Sequence, residues 1–447
     1  MVDLDALVTR VIPPSDSESD DARQKWRATL EHLSRFGKCS EGNNISLYEG
    51  GEATLEMMLE AIDSARDRVW LEKYIFDGSK VAGAFVEALK RAARRGVDVV
   101  LVVDWLGSFE MRPSWIRQLR REGVPVVLFN PLVGSRSIGP WAFRDHRKIL
   151  IVDKVGFVGS INVSSDSAGA RWGGREHFYD VHAKLEGPAV AHLADVFRDT
   201  LQSSYSGVLR DPIAPPTSPL PAGEGAYVQI LDTNVTKGRR NVQQVLERIV
   251  READSHICVS TSYFVPPGFL RRALQHAARR GVNLSLLLSG NSDIPGDVRA
   301  STHLAGKFLK IPGAEMYFSQ KQHMHAKHLT VDGVWGSVGS YNWDRHSSRR
   351  NLEVVLSVFN RDVAGELERL HKKKIKEDSK PFTLRDWKNR PLFMKVYDGL
   401  AYWAVKMSGK NLLDGFANKG RRVTVLESFL EERAGQHLAS GMIWGCQ

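Results

Sequence analysis

The pattern His-x-Lys-x-x-x-x-Asp occurs twice in this chain. DHRKILIVD carries it as His146, Lys148 and Asp153, and HAKHLTVD carries it as His325, Lys327 and Asp332. One histidine or lysine beside an apolar run is most often an ordinary strand-end residue. At common residue frequencies, however, a chain of 447 residues holds the whole pattern by chance roughly 0.05 times, so two copies point to descent rather than coincidence. A GSxN segment trails each copy: Gly159, Ser160 and Asn162 in FVGSINVS, then Gly339, Ser340 and Asn342 in SVGSYNWD. Upstream, AARRGVDV from Ala92 is answered by AARRGVNL from Ala277. All three echoes recur at an offset of about 180 residues that drifts by a few positions, as an old duplication with small insertions would leave them. One motif-bearing unit is used twice.

Each unit reads as alternating helix and strand. In the first, GGEATLEMMLEAIDSARDRV predicts a helix, residues 69–76 a strand, AGAFVEALKRAARRG a helix stopped by Gly96, and VDVVLVVD a strand apolar on both faces. The order returns after residue 225 in NVQQVLERIVREAD, HICVSTSYFV, PGFLRRALQHAARRG and VNLSLLLSG. Strands without a polar face, separated by helices, belong to a sheet covered on both sides. The expected class is α/β, with two pseudo-symmetric α/β/α sandwich domains, each with its own core, and a C-terminal tail. The expected boundaries are a polar, mobile N-terminal arm at 1–35, a first domain at 36–206, a linker rich in Pro, Gly and Ser at 207–224, a second domain at 225–370 and a basic, amphipathic tail at 371–447.

In the tail, HKKKIKEDSK reads as a solvated charge run. In LFMKVYDGLAYWAVKM, Phe393, Val396, Tyr397, Leu400, Trp403, Ala404 and Met407 share one helical face. That face suits either a membrane interface or docking onto the second domain.

The formal charge of +10 favours an anionic partner, lipid headgroup or nucleic acid. Cys39, Cys258 and Cys446 are scattered without metal-ligand spacing, which argues against a zinc site or a disulfide framework. No apolar run reaches spanning length and the acidic N-terminus lacks a signal-peptide core, so neither a spanning anchor nor an obvious secretion signal is expected.

On either unit alone, an imidazole, an ammonium, a hydroxyl and an amide make half an active site. If the units pack about a pseudo-two-fold axis, both halves meet in one cavity, and the set suits a phosphodiester. Lys148 and Lys327, with Ser160, Asn162, Ser340 and Asn342, would bind non-bridging oxygens and stabilise developing charge. One histidine would attack phosphorus while the other protonates the leaving oxygen, with no metal or cofactor required. A nucleophilic imidazole needs its other nitrogen held by an acceptor, and Asp180 and Glu353 are the expected orienting groups. Asp153 and Asp332 complete the two motifs and count among the candidate catalytic residues, but they end apolar strands before KVG and GVWG, where a turn-forming role is the stronger reading.

The doubled motif with trailing GSxN resembles the phospholipase D superfamily over most of residues 40–370. HMHAKHLTVDGVWGSVGSYNWDRHSSRRNLEV and FYDVHAKLEGPAV are similar to bacterial cardiolipin synthases, particularly the short type without N-terminal spanning helices. The resemblance implies two phospholipase D-like domains around a shared active site. It also implies phosphatidyl transfer through a phosphohistidine, with phosphatidylglycerol as the expected substrate. His146 is taken as nucleophile and His325 as general acid and base, the pseudo-symmetry leaving the reverse order open. It further implies an anionic membrane surface as partner, and a peripheral location on the cytoplasmic face of the bacterial inner membrane. A phospholipase of the same superfamily would differ only in admitting water to the intermediate. A nuclease is disfavoured because LFNPLVGSRSIGPWAF, before the first motif, is apolar and Gly-rich rather than basic with interleaved aromatics.

Overall fold

The computed structural model describes residues 2–14, 17–131, 143–204, 207, 211–221, 223–234, 238–292 and 296–408. Most of the apolar, Gly-rich segment before the first motif, linker residues 208–210 and 222, Cys446 and the tail beyond 408 lie outside them.

One mixed sheet of 15 strands runs through both halves. The first half lays its strands side by side in the order Val126–Phe129, Asp98–Asp104, Arg68–Lys73, Ile149–Val152, Val155–Gly159, Val181–Glu186 and Cys39–Glu49. The second half repeats that order with Ala314–Ser319, Asn283–Leu288, His256–Thr261, His328–Val331, Trp335–Gly339, Glu353–Phe359 and Ala226–Thr233. The two runs join where Cys39–Glu49 pairs antiparallel with Ala226–Thr233. Within each run three strands are parallel and the motif-bearing strands return antiparallel.

The helices expected from the sequence form at Gly51–Ser64, Lys80–Arg94, Asn241–Glu252 and Gly268–Arg279. Their apolar stripes are buried, Val81, Phe85, Val86 and Leu89 in one and Leu270, Ala273, Leu274 and Ala277 in another. Two cores follow the halves: one is built from Leu55, Phe85, Leu101 and Phe157, the other from Leu246, Val259, Leu286 and Leu329. A third draws on both, joining Trp70, Ile149, Val158 and Phe197 to Val338, Val354, Leu356 and Leu367. Each half therefore has a core of its own, and a third interior is shared between them. A shared layer and a continuous sheet fasten them.

Two boundary expectations are corrected. The N-terminal arm is not loose: helices Leu4–Val11 and Ser17–Leu33 pack Leu7, Val8, Val11, Trp26, Leu30 and Leu33 into the core of the second half. Its apolar residues recur at i, i+3, i+4 and i+7 among many charges, so average polarity concealed a docking face. HKKKIKEDSK is likewise solvated on one side only, with Lys372, Lys376, Glu377 and Lys380 exposed. Its first eight residues complete the helix Arg361–Asp378, in which His371, Lys374 and Asp378 are buried and Lys374 pairs with Asp378 at 2.7 Å. The chain then adds an edge strand, Ser379–Pro381, to the second half.

The last described helix, Leu392–Ser408, lies on the helix Asp297–Phe308. The stripe named from its sequence stays exposed, and the opposite side of the helix makes the contact. No helix among the described residues is long and apolar enough to cross a membrane.

Candidate active site

Each motif histidine sits on the short segment just before its strand, and that segment pairs with the other half of the chain. His146 N–H donates to the carbonyl of Leu352 at 3.0 Å, and Leu352 N–H donates to that of Arg144 at 2.9 Å. Across the pseudo-axis, His323–Met324 pairs parallel with Phe178–Tyr179, and His325 N–H donates to the carbonyl of Tyr179 at 2.9 Å. These backbone bonds bring each histidine beside the residue that follows the pairing segment in the opposite half. His146 Nδ1 lies 3.0 Å from Glu353 Oε2, and His325 Nδ1 lies 2.6 Å from Asp180 Oδ1. The two expected orienting carboxylates thus meet the histidines, each reaching across to the other half.

Both carboxylates are fully buried and fastened. Glu353 also accepts hydrogen bonds from the hydroxyls of Ser340 and Ser347 and from Asn351 Nδ2. Asp180 accepts from Ser167 Oγ at 3.2 Å. Burial by itself would raise both acids, but the facing imidazole and the nearby motif lysine outweigh it and hold them below the usual carboxylate range. Burial pushes the histidines down, His146 to about 4 and His325 to about 3, against the pull of their carboxylates. At neutral pH the imidazoles are neutral with Nδ1–H donated to an ionised acid. This leaves the lone pair on Nε2, the tautomer a nucleophile or general base requires.

The lysines are bound to their own motifs. Lys148 Nζ donates to the carbonyl of His146 at 2.7 Å, and Lys327 Nζ donates to that of His325. Burial drives the Lys148 ammonium well below its ordinary range, with Lys327 and Lys73 adding repulsion against the attraction of Glu353. Asn162 Oδ1 accepts from Ile75 N–H at 3.3 Å, and the buried Asn342 Oδ1 has no hydrogen-bond partner among the described residues.

Four assignments are corrected. Ser160 and Ser340, expected on phosphate oxygens, are committed elsewhere. Ser340 Oγ donates to Glu353 and receives Val354 N–H at 3.0 Å, while Ser160 Oγ exchanges 3.2 Å bonds with the backbone of Val181. Their hydroxyls pin the strands that carry the orienting acids. The glycines before them have the same purpose: a Cβ at Gly159 would overlap His182, and one at Gly339 would overlap the Val354 carbonyl. Asp153 and Asp332 stand beyond the far ends of their strands from the histidines, with φ of 50° and 54°. Asp153 accepts N–H bonds from Arg66, Asp67 and Arg68, and Asp332 from Asp254, Ser255 and His256. Each aspartate closes a turn and ties it to the start of the neighbouring strand, so the turn-forming reading is the correct one.

Several neighbours escaped sequence reasoning. Phe178 stacks on His325 with ring centroids 4.7 Å apart, and Tyr74 tilts against His146 at 4.8 Å with Lys148 Nζ 5.1 Å from its ring. Lys73 is fully buried, donates to the Ile161 carbonyl at 3.0 Å, and is lowered by burial to about 7 although Asp180 pulls it up. Glu72 and Lys73 are charges inside an otherwise apolar strand, the same anomaly that marked DHRKILIVD, and could have been flagged on that ground. Arg147, between the motif His and Lys, is buried and spans the halves. It donates to Thr200 Oγ1 and Asp232 Oδ2, each at 2.8 Å, and to the Thr233 carbonyl at 2.9 Å.

Among the described residues no cluster of His, Cys, Asp and Glu is arranged to hold a metal. The arrangement can deliver one unprotonated imidazole to an electrophile while a second, held alike, exchanges a proton, beside the buried amino groups of Lys73, Lys148 and Lys327, whose protonated form a bound anion would favour.

The architecture matches the solved structure of phosphatidylserine synthase from Haemophilus influenzae Rd KW20 with a TM-score of 0.64, at 12% identity, over 86% of this chain and 98% of that one. At that identity the likeness is one of fold. The family model described as "Cardiolipin synthase, PLD-like domain" matches residues 58–199 and 246–374, and the chain belongs to that family. Cardiolipin synthase B of Shigella flexneri is 30% identical over 333 residues, 72% of this chain and 79% of its own length. The cardiolipin synthase of Oceanobacillus iheyensis is 28% identical over 335 residues, 74% of this chain and 68% of that protein.

Proposed function

We propose that this protein is a phosphatidyltransferase that makes cardiolipin, or a closely related phospholipid, from phosphatidylglycerol through a covalent phosphohistidine. The observation that carries the reading is the pair of buried imidazoles, each with Nδ1 on an acid from the other half and Nε2 left to react. The family membership and the names of the relatives support the lipid substrate.

In this reading a phosphodiester anion binds between Lys148, Lys327 and the amides of Asn162 and Asn342, and its charge offsets the buried ammonium groups. His325 takes up a proton with the bound anion. Nε2 of His146 attacks phosphorus, the P–O bond to glycerol breaks, and His325 hands its proton to the departing oxygen. The hydroxyl of a second phosphatidylglycerol then loses its proton to His325 as its oxygen attacks the phosphohistidine. That step forms the new P–O bond, breaks the P–N bond and restores both side chains. The protein acts as a peripheral enzyme on the cytoplasmic face of the bacterial inner membrane.

The test is incubation with phosphatidylglycerol vesicles, with His146→Ala as control and mass spectrometry of the lipids. Cardiolipin and glycerol formed by the unmutated protein alone are expected. Phosphatidic acid as the sole product would replace transfer by hydrolysis, and no lipid turnover would overturn the reading.

A further inference from the structure

Of the eight large apolar residues exposed among the described residues, seven lie on the helix Leu392–Ser408. Phe393, Val396, Tyr397, Leu400, Trp403 and Met407 form one stripe beside Leu392, with Phe393 70% and Trp403 61% exposed. The roll of the helix is fixed by its other side. Asp398 is fully buried and pairs with Arg390, and its Oδ1 lies 3.6 Å from Arg299 Nη1. Tyr402 stacks on His303 with centroids 4.9 Å apart, and Trp387 of the preceding short helix covers Gly306. A buried acid thus keeps the apolar stripe facing outward.

Charge selects what the stripe meets. Asp398 is the helix's one acidic residue, and it is buried, so the exposed surface carries no anion. Cations stand beside it: Arg299 is 5.3 Å from the Tyr397 ring of the stripe, and Lys307 and Lys406 are 5.3 and 5.7 Å from Tyr402 on the packed side of the same helix. An apolar stripe with Trp and Tyr, on a helix whose only charges besides the buried Asp398 are lysines, suits the interface of an anionic bilayer, where rings sit at headgroup depth and ammonium groups meet phosphates.

The location agrees. The supporting helix Asp297–Phe308 follows the strand Asn283–Leu288, and just past that strand Ser289 Oγ and the Asn291 carbonyl lie 3.2 and 2.9 Å from His323 Nδ1, two residues from His325. The stripe is therefore mounted on an element that starts at the active-site end of the sheet. It lies beyond residue 374, where the family match stops.

We infer that the helix Leu392–Ser408 is an interfacial membrane anchor that docks the active-site end of the protein on anionic phospholipid. The inference rests on the phospholipid reading above, because a lipid substrate gives such docking its use.

The experiment is vesicle flotation of the full chain carrying His146→Ala, with and without Phe393→Glu and Trp403→Glu together, on phosphatidylglycerol-rich and on purely zwitterionic vesicles. Sedimentation velocity and thermal melting accompany it. Binding to the anionic vesicles, reduced at least tenfold by the paired glutamates in a variant that melts like the parent, is expected. Undiminished flotation of the variant would overturn the anchor. So would a parent that ignores vesicles and sediments as a dimer that the glutamates dissociate, since a second copy would then cover the stripe. Turnover of monomerically dissolved short-chain phosphatidylglycerol by the His146-intact paired-glutamate variant separates the two ideas. Retained turnover without flotation in the parent sinks the anchor and keeps the function, whereas flotation without turnover by the unmutated protein does the reverse.

Discussion

Asp180 and His325 are 145 residues apart, stand in different halves of the chain, and meet at 2.6 Å in the buried centre of the molecule. Glu353 and His146 repeat the relationship in the opposite sense at 3.0 Å. Each half supplies a histidine to the site and the acid that holds its neighbour's histidine.

If His146 forms the covalent bond and His325 handles protons, the two acids have separable effects. Asp180→Asn should lower turnover on the order of 10²- to 10⁴-fold, by removing the charge that fixes the His325 tautomer and stabilises its protonated form. It should also let phosphohistidine accumulate on His146, because deprotonation of the acceptor becomes slow. Glu353→Gln should lower turnover comparably without accumulation. Phosphopeptide mapping after an acid-free quench checks this, and phosphate trapped on His325 would reverse the roles.

Ser340→Ala distinguishes a hydroxyl that holds Glu353 from one that binds phosphate. Loss of one hydrogen bond to a buried carboxylate costs about 1–3 kcal/mol. Because Ser340 donates to the acid, kcat should fall about 5- to 100-fold with little change in KM for lipid. A rise in KM at constant kcat would return Ser340 to the phosphate.

Arg147 joins the halves through Thr200, Asp232 and the Thr233 carbonyl with no exposed surface of its own. Arg147→Met leaves Asp232 without its ion-pair partner and takes a positive charge from beside the buried Glu72 and Asp145, and should destabilise the fold by about 3–5 kcal/mol. Chemical denaturation measures it, and a loss below about 1 kcal/mol would show the clamp to be dispensable.

Stability should fall on mild acidification. Burial lowers His328 to about 4 and His371 to about 3, as it does His146 and His325. In the unfolded chain these imidazoles take up protons near pH 6.5. Between pH 6.5 and 4 the unfolded state therefore binds more protons, and stability present above pH 6.5 is lost as the pH falls. His256, raised by its hydrogen bond to Glu368, and the buried carboxyls Asp104, Glu72, Asp145 and Asp344, raised by burial, work the other way, but the five histidines lowered by burial, His182 among them, outweigh them. Each strongly buried histidine contributes about 2 kcal/mol between pH 7 and 5, so urea midpoints should drop clearly over that range. Equal midpoints would contradict the neutral buried state.

Much of this was legible in the sequence because it was written twice. The repeated motif disclosed the pseudo-symmetry and the paired histidines, and the acids could be found among the carboxylates downstream of each GSxN segment, Asp180 and Glu353 following at unequal distances. The crossing of the acids was not legible, since spacing along a chain does not say which half a strand end will face. Ser160 and Ser340 were misplaced for a related reason: a hydroxyl near a phosphate site and a hydroxyl behind it look alike until the strand that carries the acid is in position. Leu7, Trp26 and Leu30 were missed because a docking stripe in a charged segment averages to polar, and Lys73 because its burial depends on strands far away in sequence.

Joining the halves in one chain has a consequence for the reciprocal acids. Were the two units separate copies of one polypeptide, the site would come apart on dilution, and every change in one half would be imposed on the other. The covalent link replaces that association with a fixed effective concentration, so specific activity should not depend on how dilute the enzyme is. It also frees the halves to differ. Arg147 stands where the second motif has Ala326, and Lys73 ends its strand where the equivalent strand ends in Thr261. If one imidazole attacks and the other shuttles protons, as proposed, that asymmetric chemistry can be tuned on one side alone.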